Sequence, residues 1–125
     1  MIEAFDPGAL LSRTYMLPRG PRVRLRLARP SDAPAIRALA AEHGIEPGSL
    51  ALERLIRFDP RRVVICATAL IGAGEVLVGF GAIELQPGSQ PEPVLADERV
   101  ADGLGGLLTA ALSGRAEAMM RRRAA

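Results

Sequence analysis

Three glycines within four residues, Gly103-Leu104-Gly105-Gly106, stand where a helical pattern begins, and that arrangement suits the holding of an anion. Glycine lets the backbone come close to a phosphate, and the free amides of a helix N-terminus point towards it. Residues 100–106 supply such amides. Upstream, Glu84 closes one strand pattern and Glu92 opens the next, and either carboxylate is a candidate general base. The competing expectation for both is an ordinary strand-end carboxylate. Cys66 lies inside an apolar strand with no base beside it, and is expected to be a buried small hydrophobe rather than a nucleophile. His43 falls at a helix C-terminus with no second His or Cys nearby, the place of a surface cap rather than a ligand. A single cysteine excludes an intrachain disulfide and a cysteine-rich zinc site, and no metal is expected.

The 125 residues fit one small domain, and 49% hydrophobic content sets the chain apart from disordered compositions. Aromatic residues make up only 3%, so the core must be built from Ala, Leu, Val and Ile. All 16 basic residues are Arg, which fits a GC-rich coding bias better than selection for bidentate phosphate contacts. Six of them (Arg13, Arg19, Arg22, Arg24, Arg26 and Arg29) fall between Asp6 and Asp32 without an intervening acid. No aromatic residues interleave to stack bases, so a solvated strand face is favoured over a nucleic-acid surface. The start, Met1-Ile2-Glu3, lacks the basic and apolar regions of a signal peptide, and the longest apolar run, Val63 to Ile71, is too short to span a bilayer. A cytoplasmic protein with no membrane partner is the expectation.

Residues 1–21 read as an N-terminal extension, with turns at Asp6-Pro7-Gly8 and Pro18-Arg19-Gly20-Pro21 and an edge strand over Thr14 to Leu17. From 22 to 125 the pattern is that of one domain. Arg22 to Leu27 alternates strictly, placing Val23, Leu25 and Leu27 on the core and three arginines in solvent. Ser31 or Asp32 is placed to cap a helix carrying Ile36, Leu39 and Ala40, closed by Gly44. A second short helix follows, with Leu50, Leu52, Leu55, Ile56 and Phe58 on its apolar face and a Glu53–Arg57 pair on its surface. Val63 to Ile71 and Val76 to Leu85 form a hairpin, Glu92 to Ala96 a short strand, and Leu104 onward a helix that kinks or stops at Gly114.

This order, opened by Arg29-Pro30-Ser31-Asp32-Ala33 and continued by Val78-Gly79-Phe80 and the Gly103-Leu104-Gly105 turn, resembles the GNAT acetyltransferase superfamily over residues 22–113. The resemblance implies an α/β (α+β) fold with a mixed sheet in the order β-α-α-β-β-β-α, lacking the family's closing strands and fourth helix. It implies acetyl-CoA or another acyl-CoA as co-substrate, and an amine on a small molecule or protein as acceptor. The backbone of Val94, Leu95 and Ala96 would pair with the pantetheine arm. Arg99, Val100, Ala101, Gly103, Leu104, Gly105 and Gly106 would surround the pyrophosphate.

The sequence departs from the family in three places. Val100 stands where the phosphate loop carries Arg or Gln, with Arg99 one residue away and able to compensate only by folding back. Asp102, with Asp97 and Glu98 upstream, is placed to cap the helix and to compete with a phosphate for its amides. The back third, which forms the far wall of the family's cleft and often carries its tyrosine acid, has no counterpart; Tyr15 is the only tyrosine. Two readings follow: an acyl-CoA-dependent N-acyltransferase, or a GNAT-like module that has lost the acyl-CoA site. In the second, a homodimer or a partner chain covers the open sheet edge.

Overall fold

The structure, a computed structural model, describes residues 14–17, 20–46, 48–92 and 94–124. Its strands are β1 (Thr14–Met16), β2 (Arg22–Leu27), β3 (Arg62–Ile71), β4 (Gly74–Glu84) and β5 (Val94–Ala96). Its helices are α1 (Ala33–Glu42), α2 (Leu50–Ile56) and α3 (Leu104–Ala124), with a 3-10 turn over Pro30–Asp32 before α1. The strands lie in one sheet in sequence order, and every pairing among them is antiparallel. The mixed sheet of the sequence-based expectation is therefore corrected. Each strand turns back beside its predecessor, even where α1 and α2 intervene. The expected edge strand exists and pairs Tyr15 opposite Val23; residues 1–13, 18 and 19 of the proposed extension, with the turns expected at Asp6-Pro7-Gly8 and Pro18-Arg19, lie outside the described residues.

Helices cover both faces. On one, α3 packs Leu104, Leu108, Leu112 and Ala116 against Val23, Leu25, Ile65 and Ala67. On the other, Ile36, Leu39 and Ala40 of α1 and Leu52 of α2 close over Cys66, Phe80 and Leu95. This double coverage explains the apolar run of β3 from Val63 to Ala69, where both sets of alternating side chains are buried or half-buried; Leu70 and Ile71 at its end are exposed. A bulge in β4 sets Val78 and Gly79 together opposite Ala67, after which Phe80 pairs with Cys66 under the helices α1 and α2. Gly79 is small for a reason: a Cβ there would lie 2.6 Å from Leu108 Cδ1 and 3.1 Å from Ala67 Cβ.

Several local expectations change. α3 runs unbroken through Gly114; burying the stripe of Leu104, Leu108, Leu112 and Ala116 outweighs a cost of about 1 kcal/mol for glycine in a helix. Leu27 is 45% exposed at the end of β2, and Phe58 lies beyond α2 and is 86% exposed, so neither is core. Glu53 pairs across to Arg37 of α1 at 2.7 and 2.9 Å instead of with Arg57, tying α2 to α1. Ser49 caps α2 by accepting the Leu52 amide.

Arg26 is the largest departure. Rather than standing in solvent, it turns under the α1 layer and donates two hydrogen bonds of 2.7 Å to the Asp32 carboxylate. Asp32 also accepts the Arg29 amide at 2.7 Å and makes no cap bond to α1. It pins the end of β2 to the start of α1. The Cys66 thiol faces the same carboxylate at 3.9 Å.

Cys66 has no exposed surface, and burial, with Asp32 nearby, pushes its thiol up to about 12. It is the buried hydrophobe expected from its strand. Because the thiolate is the reactive form, Cys66 should resist iodoacetamide at pH 8 in the native protein and react within minutes in denaturant. Alkylation of the native chain at the denatured rate, read by mass spectrometry, would contradict this packing.

Candidate functional site

β5 and the start of α3 bring the sequence-predicted binding residues together. Val94, Leu95 and Ala96 pair with Gly81, Phe80 and Gly79 on one edge of β5, and among the described residues the sheet ends at the other. Residues 97–103 then turn into α3. Gly103 makes that turn with φ of 86°, a left-handed conformation that side chains resist, and its carbonyl accepts the Leu107 amide as the first link of the helix. Ala101 is fully buried and packs against Gly20, where a Cβ would lie 2.5 Å from the Val100 carbonyl oxygen. The loop is thus fixed by contact with the approach to β2.

The α3 amides already hold an anion, and it belongs to the chain. Glu98 accepts the Leu104 amide at 3.0 Å and the Gly105 amide at 3.2 Å. The carboxylate that bonds these two amides comes from the start of the loop. Residue spacing hides this, because Glu98 is six residues from Leu104 and reaches it only once the loop curls over Gly103. Gly105 serves the same contact, since a Cβ there would sit 3.3 Å from the Glu98 carboxylate. Gly106 has open space beside it.

Arg99 does not take the place of a loop arginine. It bonds Asp97 at 3.0 and 3.2 Å with its side chain largely in solvent, and its guanidinium holds the Asp97 carboxyl below the usual carboxylate range. His43, at the end of α1, lies 3.0 Å from the Leu39 carbonyl through Nδ1 and 3.2 Å from the Ala96 carbonyl through Nε2. Both neighbours are acceptors, so only the doubly protonated ring donates to both. His43 is a cap, as expected, and it also joins α1 to β5. A shallow cavity of about 470 Å³ between these groups is lined by Glu42, His43, Asp97, Glu98 and Arg99.

The residues present do not fit the pyrophosphate of an acyl-CoA in this arrangement. The helix amides that would receive it are bonded to a carboxylate, and Glu42 and Asp97 add negative charge to the same cavity. The Ala96 carbonyl, one of the groups assigned to pantetheine, is engaged by His43.

Glu84 and Glu92 do come together. Both line a cavity of about 670 Å³ between α2 and β4, with Leu52, Leu55, Ala82 and Ile83 as its apolar part. Glu84 is not unattended: its carboxylate lies 3.3 Å from Arg62 Nε. Among the described residues no group of three or more His, Cys, Asp or Glu is placed to hold a metal ion, and no helix is long and apolar enough to cross a membrane. Neither a family model, nor a curated protein, nor a solved structure matches this chain.

Proposed function

We propose that the chain is a GNAT-like module that acts by binding other protein chains rather than by transferring acyl groups. The Glu98 carboxylate on the Leu104 and Gly105 amides carries this reading, because it fills with the protein's own charge the place that resemblance reserves for a cofactor phosphate. A tethered carboxylate competes at high effective concentration with any phosphate in solution. The Asp97–Arg99 pair and the His43 bond to Ala96 point the same way: Arg99 and the Ala96 carbonyl, both assigned to acyl-CoA by the resemblance, have partners within the chain. The outer edge of β5, which no strand among the described residues pairs, supplies backbone groups for pairing with a second copy or a partner strand.

The convergence of Glu84 and Glu92 on one cavity favours a second reading, an N-acyltransferase whose acceptor amine lies there and loses its proton to one of them. In that case acyl-CoA would have to displace Glu98.

Calorimetry with acetyl-CoA and with free CoA separates the two. The module reading expects no heat from the native chain at millimolar ligand. Glu98→Ala, which frees both amides, is expected to gain weak binding that falls as salt rises. Micromolar binding to the native chain, abolished by Gly105→Leu, would overturn the module reading in favour of acyl transfer.

A further inference from the structure

A third cavity, of about 560 Å³, opens at the opposite end of the sheet from the α3 N-terminus. It lies where β2 ends and β3 begins, between the start of α1, the α2–β3 connection and the last turns of α3. Its size falls in the range of small-molecule sites, roughly 300–1,000 Å³. Its apolar wall includes Leu27, Ile36, Ile56, Val63 and Met119, with exposed Phe58 at its mouth. Five arginines also line it: Arg29, Arg57, Arg62, Arg115 and Arg123.

Charge in this cavity is one-sided. Asp59 is the only acid lining it among the described residues, and it is already committed. Arg61 bonds Asp59 at 2.9 Å and Arg62 lies 3.3 Å away, and these guanidiniums hold its carboxyl down to about 2. None of the ion pairs among the described residues involves Arg29, Arg57, Arg115 or Arg123. Arg123 donates only to the Pro60 carbonyl, and Arg115 Nε is buried without a hydrogen-bond partner among the described residues. A buried donor left in this state is costly, and an anionic acceptor would relieve it.

We infer that this cavity binds a small amphipathic anion, a carboxylate or phosphate monoester carrying an aliphatic chain. The guanidiniums match the head by charge and by their planar donor geometry, and the aliphatic wall matches the tail. A bare anion leaves the wall and Phe58 unpaired, and a neutral alkyl compound leaves the arginines so. The same head chemistry is available from a free ligand or from a lipid at a bilayer surface.

Calorimetry of the full chain with octyl phosphate, octan-1-ol and inorganic phosphate tests the assignment. One octyl phosphate per chain is expected, with each control weaker by about tenfold or more. Arg57→Gln, an exposed position, should weaken octyl phosphate binding, and Arg57→Gln with Arg115→Gln should weaken it by about tenfold or more. Circular dichroism of each variant verifies that the fold persists. Co-sedimentation with phosphatidic acid vesicles, against phosphatidylcholine vesicles, separates the sources. Binding of the free ligand alone assigns a soluble ligand; binding of both assigns a head that the bilayer can also present. The proposal is overturned if octan-1-ol binds as well as octyl phosphate, if the folded double variant binds unchanged, or if octyl phosphate does not bind at millimolar concentration.

Discussion

Asp32→Ala is expected to destabilise the protein by about 3 kcal/mol, because it leaves the Arg26 guanidinium buried without its counter-charge. The two side chains are 18% and 10% exposed, so water restores little of what is lost. The carboxylate also accepts the Arg29 amide, whose loss adds an unsatisfied backbone donor at the joint between β2 and α1. For a domain of this size the melting temperature should fall by roughly 10 °C. Replacing both partners by apolar residues, Arg26→Met with Asp32→Leu, should recover much of the loss, since the desolvation penalty disappears with the pair. A double variant as unstable as Asp32→Ala would mean that the carboxylate matters through the Arg29 amide alone.

The same pair sets a pH dependence with a definite sign. Hydrogen bonds from Arg26, and then from the Arg29 amide, hold the Asp32 carboxyl below its ordinary value in the folded chain. Its stabilisation is therefore present above the usual carboxylate range and is lost as pH falls through the lowered folded value. Urea midpoints measured from pH 6 down to pH 2 should decline for the native chain. In the Arg26→Met/Asp32→Leu variant the decline should be shallower. Parallel curves would show that Asp32 contributes nothing to acid sensitivity.

Leu108→Ala should cost between about 2 and 5 kcal/mol, since Leu108 is fully buried and its removal opens a cavity at the centre of the α3 contact. The floor of that cavity is Gly79, which gives the prediction its sharper form. Gly79→Ala in the native background forces its new Cβ to within 2.6 Å of Leu108 Cδ1, so it should destabilise on its own. In the Leu108→Ala background the 2.6 Å contact is gone, the 3.1 Å approach to the Ala67 Cβ remains, and the added methyl partly refills the space. Gly79→Ala should then cost less than in the native background, with a coupling between the sites of about 1 kcal/mol or more. Additive losses in thermal melts would place α3 farther from β4 than the contacts here require.

The elements of this protein were legible in its sequence because they are written by short-range periodicity. Val23 and Leu25 alternate along β2, and Ile36, Leu39 and Ala40 recur at helical spacing. The glycine at 103 marks the turn into α3. Each signal needs only neighbours a few residues away. The burial of Cys66 was legible for the same reason, since an unbroken apolar run of strand formers has to be covered on both faces. Tertiary structure decided which polar group meets which. Arg26 on an alternating strand looked solvated until β2 was laid against the start of α1, where Asp32 waits. Glu53 had a sequence neighbour in Arg57 but found Arg37 once α2 folded back on α1. The curl of the loop over Gly103 brought Glu98, six residues upstream, onto the Leu104 amide. The arginines of the 560 Å³ cavity come from the β2–α1 connection, the α2–β3 connection, β3 and α3, so no stretch of sequence displays them together. Local pattern fixes backbone form because helix and strand bonds are short-range. The pairing of charges depends on distances across the fold that only packing sets.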